Sequence, residues 1–261
     1  MRESTQPSTG ATAHDPAAFA GSPLPHFGDP ALVELLISTA PGDPERARAA
    51  RLLGLTPSTL IRVLAVEGDP DELTVEYAGW IARAQVGRLT AVLVREFERK
   101  AGVLSSDTRL GVGPLVRADE AWQSWKGARL AIRFAPDRNP ERHDSARPNA
   151  IFWDDLGGVA MLAEYVPIEA ISRVRDVVVL DRLASERNGA TTIRVLRMVC
   201  QTESARQAAV ALHMHHSSVL ARIERAAASL GFPPTTPLGR SRLSIALILR
   251  HLRDSNETEL R

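Results

Sequence analysis

The sequence predicts an α+β fold in which a small α/β block precedes an all-α C-terminal segment. Two runs rich in β-branched and aliphatic residues, at 60–66 and 89–94, indicate buried strands. Between 119 and 134 the apolar residues follow the spacing of a helix instead. From Val174 onward helical patterns dominate. Strands alternating with a helix, followed by a helical segment, place the chain in the α+β class.

The N-terminal part is expected to form a tail and a helical linker. The tail, residues 1–28, is rich in Ser, Thr, Pro, Gly and Ala without periodicity, which predicts disorder. In the linker, residues 29–56, Asp29 and Asp43 are each followed by a proline, and this pairing of N-cap and first helical residue opens a helix. Gly54 can end the second of these helices in the left-handed conformation.

The α/β block is predicted to cover residues 57–172. A further strand is expected over 108–114, where a proline closes it. The helix over 119–134 has an apolar inner face formed by Ala121, Trp125, Ala128 and Ile132. A stretch rich in proline and charge, 136–150, predicts a loop, and 151–153 is a candidate last strand.

The C-terminal segment, residues 173–255, contains two short predicted helices around a tight connection. The hydroxyl of Ser204 can cap the first helix by accepting a free backbone N–H. Small side chains on the inner face of this helix allow the second helix to cross closely. That inner face consists of Ala208, Ala209 and Leu212. One side of the second helix presents an apolar stripe formed by Val219, Ile223, Ala226 and Leu230.

The other side of the second helix offers hydroxyls and cations, from Ser217, Ser218, Arg222 and Arg225. A helix-turn-helix needs this arrangement, because its second helix packs on one side and lies in the major groove of DNA with the other. An ordinary helical hairpin with a solvated charged face is the alternative that the spacing leaves open.

The same segment resembles the C-terminal helix-turn-helix of the PucR/CdaR family of bacterial transcription regulators, over roughly residues 190–253. The matching residues are Ala209, Leu212, His213, His215, Val219, Arg222, Ile223, Arg225, Leu230, Gly231 and 236–240. His216, Ser217 and Ser218 stand where the family usually has Arg-Asn-Thr, and Ala221 stands in place of the usual Tyr. These changes remove side chains that could make bidentate contacts with base edges, so they alter the expected operator sequence.

The α/β block resembles the diverged GGDEF-like domain that precedes the helix-turn-helix in this family. The similarity rests on residues 51–55, 111–114 and 124–132. A working diguanylate cyclase of this fold needs a Gly-Gly-Asp/Glu-Glu-Phe turn whose carboxylates hold magnesium. The comparable hairpin here, 86–89, contains Arg88 and no acidic pair. The resemblance therefore implies a catalytically silent domain, and we expect that the protein is not an enzyme.

The family resemblance implies a sequence-specific regulator that binds double-stranded DNA as a homodimer. The expected DNA-binding residues are Arg206, His215, His216, Ser217, Ser218, Arg222, Arg225 and Arg240. Among these, Arg206 and Arg240 are assigned to phosphates, and the residues of the second helix to the major groove. A small-molecule effector of unknown identity is left open. The alternative function is a protein–protein interaction or adaptor module whose helix-turn-helix no longer reads DNA.

Composition and charge limit the kinds of protein and the cellular location that the sequence can indicate. The formal net charge is only +1, so the chain is not a global polycation. From Thr191 to the end, however, the sequence contains ten arginines and five acidic residues. This local excess of positive charge suits the binding of phosphate. Cys200 is the only cysteine and excludes an intramolecular disulfide. Neither a signal peptide nor an apolar run of about 18 residues is present, so we expect no membrane association and a cytoplasmic location.

No cofactor or metal is expected. The glycine pairs at 111–113 and 157–158 lack the remaining glycines and the Lys-Ser/Thr of nucleotide-binding loops, so ordinary turns are favoured. His213, His215 and His216 lack a second group of ligands that would complete a zinc site. The apolar neighbours of Cys200 predict a buried, inert thiol.

Overall fold

The computed structural model describes residues 28–73, 79–95, 108–135 and 150–255. A mixed sheet with helices forms the first part, and helices alone form the C-terminal part. The predicted α+β organisation is therefore confirmed. The predicted tail, up to residue 27, and nearly all of the predicted 136–150 loop lie outside the described residues.

The sheet contains β1 (Leu60–Glu67), β2 (Trp80–Val86), β3 (Leu89–Val94), β4 (Arg109–Val112), β5 (Val116–Arg117) and β6 (Ala150–Phe152). Within the described ranges the strand order is β2-β3-β1-β4-β6, and β5 pairs with the start of β1. All these pairs are antiparallel except β4 with β6, which is parallel. The predicted hairpin joins β2 to β3 through Gly87, whose φ of 61° suits a tight two-residue turn.

Three helices pack on one face of this sheet: α1 (Pro30–Ile37), α2 (Asp43–Leu52) and α3 (Ala121–Ile132). The Asp29 carboxylate caps α1 by accepting from the Ala31 N–H at 2.9 Å, as the sequence predicts. Val33 and Leu36 of α1 and Ala49 of α2 lie in the same apolar core as β1. The segment predicted as a helical linker thus packs against the sheet. The domain boundaries remain a prediction from the sequence.

Helix α3 crosses β4 at very short range. A Cβ atom built on Gly111 would lie 2.1 Å from the Ala128 carbonyl oxygen, and one on Gly113 would lie 2.0 Å from the Ser124 carbonyl oxygen. The Ser124 hydroxyl fixes the crossing, because it accepts from the Val63 N–H at 2.8 Å and donates to the Pro114 carbonyl at 2.7 Å. Gly111 in β4 and Gly113 directly after it therefore allow α3 to pack closely, whereas the sequence favoured an ordinary turn for this pair.

The remaining helices are α4 (Trp153–Leu156), α5 (Gly158–Tyr165), α6 (Ile168–Ile171), α7 (Arg175–Ser185), α8 (Gly189–Gln201), α9 (Ala205–Ala211), α10 (His216–Leu230) and α11 (Pro237–Asp254). Leucines of α7, α8, α10 and α11 form one buried core. A second core joins α8, α9 and α10 through residues such as Val195, Ala208 and Val219. None of the described helices is long and apolar enough to cross a membrane.

The two parts of the chain meet where the end of α3 contacts the end of α11. The Arg133 side chain donates to the Leu252 carbonyl oxygen and, at 3.4 Å, to Ser255 Oγ. In return, His251 Nε2 lies 2.7 Å from the Arg133 carbonyl oxygen, which can only accept. Burial lowers the pKa of His251, so its neutral ring donates this hydrogen bond at pH 7. The Phe134 ring packs on His251 with centroids 5.0 Å apart.

An ion-pair cluster links α7 to α11 and makes stability depend on pH. Asp181 accepts from Arg250 Nε at 2.8 Å and from both terminal nitrogens of Arg253. These hydrogen bonds, above all those from Arg253, hold the pKa of Asp181 below its usual value. A lowered carboxyl pKa stabilises the fold above the unfolded-state pKa, about 3.9, and this contribution disappears as pH falls through the folded-state pKa.

Asp181→Asn is therefore expected to lower the free energy of unfolding near neutral pH, by a difference that shrinks steadily below about pH 4. Urea unfolding of both proteins from pH 7 down to the acid limit of the native state measures this difference. A difference that stays constant across the pH range would contradict the assignment of the stabilisation to the ionised carboxylate.

Candidate nucleic-acid interface

Helix α9 is fixed at both ends by local hydrogen bonds. The Ser204 hydroxyl accepts from the Gln207 N–H at 3.2 Å, so the predicted N-cap is confirmed. At the other end, the Met214 N–H donates to Ala209 O at 2.9 Å and the His213 N–H to Val210 O at 3.1 Å. This pair of bonds is the Schellman arrangement, in which the chain leaves a helix through one left-handed residue. The turn before α10 is therefore set by backbone geometry.

His213 holds the left-handed position of this turn, with φ of 51°, where glycine is the usual residue. An L side chain in this conformation costs roughly 1–2 kcal/mol, while glycine loses more backbone entropy on folding. We expect His213→Gly to raise the free energy of unfolding by about 0.5–1 kcal/mol. Denaturant unfolding measures the change.

The matched control for this prediction is Ala211→Gly, two residues earlier at the last residue of α9. There glycine brings only its entropy cost, so the free energy of unfolding should fall by about 0.5–1 kcal/mol. The same loss in His213→Gly would show that the turn is not strained.

Helix α10 buries one side and exposes the other. The predicted apolar stripe is confirmed, since Val219, Ala226 and Leu230 are fully buried and Ile223 nearly so. The helix packs on α7, α8 and α9 and ends at Gly231, which is left-handed with φ of 78°. The most exposed side is formed by Ser217, Ala221, Glu224, Arg225 and Ala228.

The predicted DNA-binding residues divide into two sets by exposure. The exposed set comprises Arg206, His215, His216, Ser217 and Arg225. The half-buried set comprises Ser218, Arg222 and Arg240. At the start of α10, His215 Nδ1 lies 2.7 Å from Ser217 Oγ, so these two polar groups hold each other at the helix N-terminus.

Residues 192–249, from α8 to α11, match the family model of the PucR C-terminal helix-turn-helix domain. This range includes α9, the turn and α10. The segment is a PucR-type helix-turn-helix domain. The resemblance inferred from the residues of this segment is thus confirmed, and a domain of this type supports a role in transcription regulation.

The crystal structure of a regulator of polyketide synthase expression from Bifidobacterium adolescentis is also similar to this chain. The two share 16% identity over 86% of this chain and 92% of that one, with a TM-score of 0.35. No curated protein matches the chain significantly.

Within the PucR-type domain, Arg222 lies against its own helix. Its terminal nitrogen donates to the Ser218 carbonyl oxygen at 3.0 Å. Its Nε is buried and finds no hydrogen-bond partner among the described residues. The sequence placed Arg222 on the polar side by its spacing, but the position borders the apolar stripe, and the side chain bends back to the carbonyl oxygen of the preceding turn.

Arg240 connects two turns of the PucR-type domain. Its guanidinium donates to the Glu203 carbonyl oxygen at 3.2 Å and to that of Thr235 at 3.5 Å. It thereby ties the α8–α9 connection to the α10–α11 connection. The sequence does not reveal this role, because the contact joins positions 37 residues apart and no local pattern marks it.

Nearby, burial raises the pKa of the Cys200 thiol, which makes it a poor nucleophile.

Charge is distributed unevenly over the domain. Arg242, Arg250 and Arg253 of α11 are engaged by aspartates of α7. Arg206 of α9 and Arg225 of α10 are exposed and have no salt bridge within the described part of the chain. Unpaired arginines on the α9–α10 surface are available for an external anion such as a phosphate. In the described ranges no group of three or more histidines, cysteines or carboxylates is placed to hold a metal ion.

Proposed function

We propose that this chain is a sequence-specific DNA-binding regulator that places α10 in the major groove. The observation that supports this most strongly is the coincidence of two features in one segment. The PucR-type family match covers α9 and α10. The outward side of α10 combines small residues with Glu224 and with an exposed Arg225 that has no salt bridge among the described residues. Small side chains let the helix approach base edges closely, and an arginine can bond a guanine with two hydrogen bonds.

The proposed roles follow from exposure. Arg225 makes the main base contact, together with Ser217 near the helix N-terminus. Arg206 on α9 contacts phosphate. His215 and His216 lie at the N-terminus of α10, where the helix dipole favours a phosphate oxygen.

The half-buried residues take secondary roles in this proposal. Arg222 must leave the Ser218 carbonyl before it can reach a base. Ser218 and Arg240 contribute mainly by holding the helix and the turns, and Arg240 can add a phosphate contact from the rim.

A dimer is part of the proposal, because one short helix reads few base pairs. Two copies would bind half-sites about one helical turn, ~34 Å, apart. Helix α11 offers a surface for self-association, since Leu238 is 80% exposed and Ile245 is 50% exposed. These two residues lie two turns apart on the same face of the helix. The α/β block would serve assembly or coupling and would be catalytically silent, since its β2–β3 turn contains Gly87 and Arg88 and no carboxylate.

The test is binding of the purified full chain to the DNA upstream of its own gene, with a random duplex as control, at about 50 and 200 mM salt. We expect tighter binding to the upstream DNA and a steep loss of affinity at the higher salt, because phosphate contacts release counterions. Absence of any DNA affinity at the lower salt would favour the adaptor alternative, which the replacement of the usual Arg-Asn-Thr by His216, Ser217 and Ser218 also suggests.

A further inference from the structure

A cavity of about 300 Å³ lies where the α/β block meets the C-terminal helices. One wall is a single face of α3, because Lys126, Leu130 and Arg133 follow one another at i, i+4 and i+7. The segment from 163 to 171, which includes the end of α5 and all of α6, forms the second wall, and Leu252 of α11 closes the cavity. Three separate parts of the fold therefore meet around this space.

The walls combine an apolar surface with charged groups at the rim. Leu130, Ile168 and Ile171 supply apolar surface. At the rim, Lys126 Nζ donates to Glu164 Oε1 at 2.7 Å, and this hydrogen bond holds the pKa of Glu164 below its usual value. The carboxylate is thus ionised at neutral pH. Arg133 also lines the cavity, but its guanidinium already donates to the Leu252 carbonyl oxygen and to Ser255 Oγ, so Lys126 is the cation of the lining to which we assign an anionic guest.

The Lys126 ammonium has room for a second partner. It is 55% exposed and its one described partner is Glu164, which is 22% exposed. An ammonium can donate three hydrogen bonds, so it can hold Glu164 and a guest carboxylate together. The Glu164 carboxylate would repel the guest carboxylate, however, so removing the charge of Glu164 should change the affinity measurably.

The cavity also borders the contact that joins the two parts of the chain. Arg133 lines the cavity and donates to the carbonyl oxygen of Leu252, which lines it from the opposite side. His251, the preceding residue of α11, donates back to the Arg133 carbonyl oxygen. A guest in the cavity would therefore touch both partners of the α3–α11 contact.

We propose that this cavity binds a small organic monocarboxylate with an apolar body. The carboxylate lies on the Lys126 ammonium, and the apolar body packs on Leu130, Ile168 and Ile171. The volume is at the lower end of the range of small-molecule sites, which limits the guest to a small acid. The site stands independently of DNA binding, because none of its residues belongs to α9 or α10.

Titration calorimetry of the full chain with phenylacetate and its neutral analogue, phenylacetamide, tests the proposal. Isovalerate and benzoate serve as further acids. We expect at least one acid to bind, and phenylacetate to bind about tenfold more tightly than the amide, because a hydrogen-bonded ammonium recognises only the carboxylate strongly. Lys126→Met should abolish this preference. Glu164→Gln, which removes the repelling charge and keeps the side-chain shape, should tighten acid binding severalfold.

Circular dichroism confirms that each variant is folded, and Lys126→Gln replaces Lys126→Met if the latter is not. The proposal would be overturned if none of the three acids bound the wild-type chain at a ligand concentration of about 10 mM. A dissociation constant above that concentration is too weak for a ligand site. An unchanged preference for acid over amide in the Lys126 variant would overturn it as well. The titration contains no DNA, so its outcome is independent of the proposed regulatory function.

Discussion

Gly111→Ala is expected to unfold the α/β block or to lower its free energy of unfolding by about 3 kcal/mol or more. The added Cβ would lie 2.1 Å from the Ala128 carbonyl oxygen and 2.6 Å from the Ile132 nitrogen. Both are backbone atoms of α3 and cannot rotate away, so the helix must lift from β4. Urea unfolding followed by far-ultraviolet circular dichroism measures the loss.

Gly158→Ala is the matched control. A Cβ at Gly158 meets no atom within 4 Å, and the residue begins α5. Its free energy of unfolding should stay within about 0.5 kcal/mol of the wild type. If Gly111→Ala were as stable as Gly158→Ala, the close crossing of α3 over β4 would be wrong.

Arg225→Ala is expected to reduce discrimination between operator and random DNA by about 1–3 kcal/mol, which is roughly 5–150-fold. The guanidinium is exposed on the outward side of α10 and is not held by another described residue through a salt bridge. Its removal should therefore affect base contacts while leaving the fold intact. Binding of both proteins to operator and random duplexes under one salt condition gives the ratio.

Two other arginine variants sharpen this prediction. Arg117→Ala lies in the α/β block, where Arg117 pairs with Asp119, and it should leave the operator-to-random ratio unchanged. Arg222→Ala should reduce the ratio less than Arg225→Ala, because Arg222 is bonded to the Ser218 carbonyl oxygen. A larger effect at Arg222 would mean that the bound conformation releases this side chain, and that our ranking of the two arginines is wrong.

Features determined by neighbours along the chain could be predicted from the sequence. The apolar stripe of α10 is a matter of helical period, and its four residues are all buried. The caps at Asp29 and Ser204 follow from the ability of a short polar side chain to accept a nearby backbone N–H. The hairpin between β2 and β3 was likewise marked by its own turn residues.

Features that join distant parts of the chain could not be predicted in this way. The role of Gly111 depends on where α3 crosses, and the contact between Arg133 and Leu252 joins residues 119 positions apart. Arg222 was placed on the polar side by its spacing and Arg240 was assigned to a phosphate, but the conformations of both side chains depend on carbonyl oxygens that only the folded structure brings within reach.

Selection of binding sites from a random duplex library by the purified full chain tests the DNA-reading proposal most directly, because the selection itself reveals the operator sequence. We expect enrichment of a sequence with two related half-sites about one helical turn, ~34 Å, apart, and loss of that enrichment with Arg225→Ala. A folded chain that enriches no sequence even at low salt would contradict it.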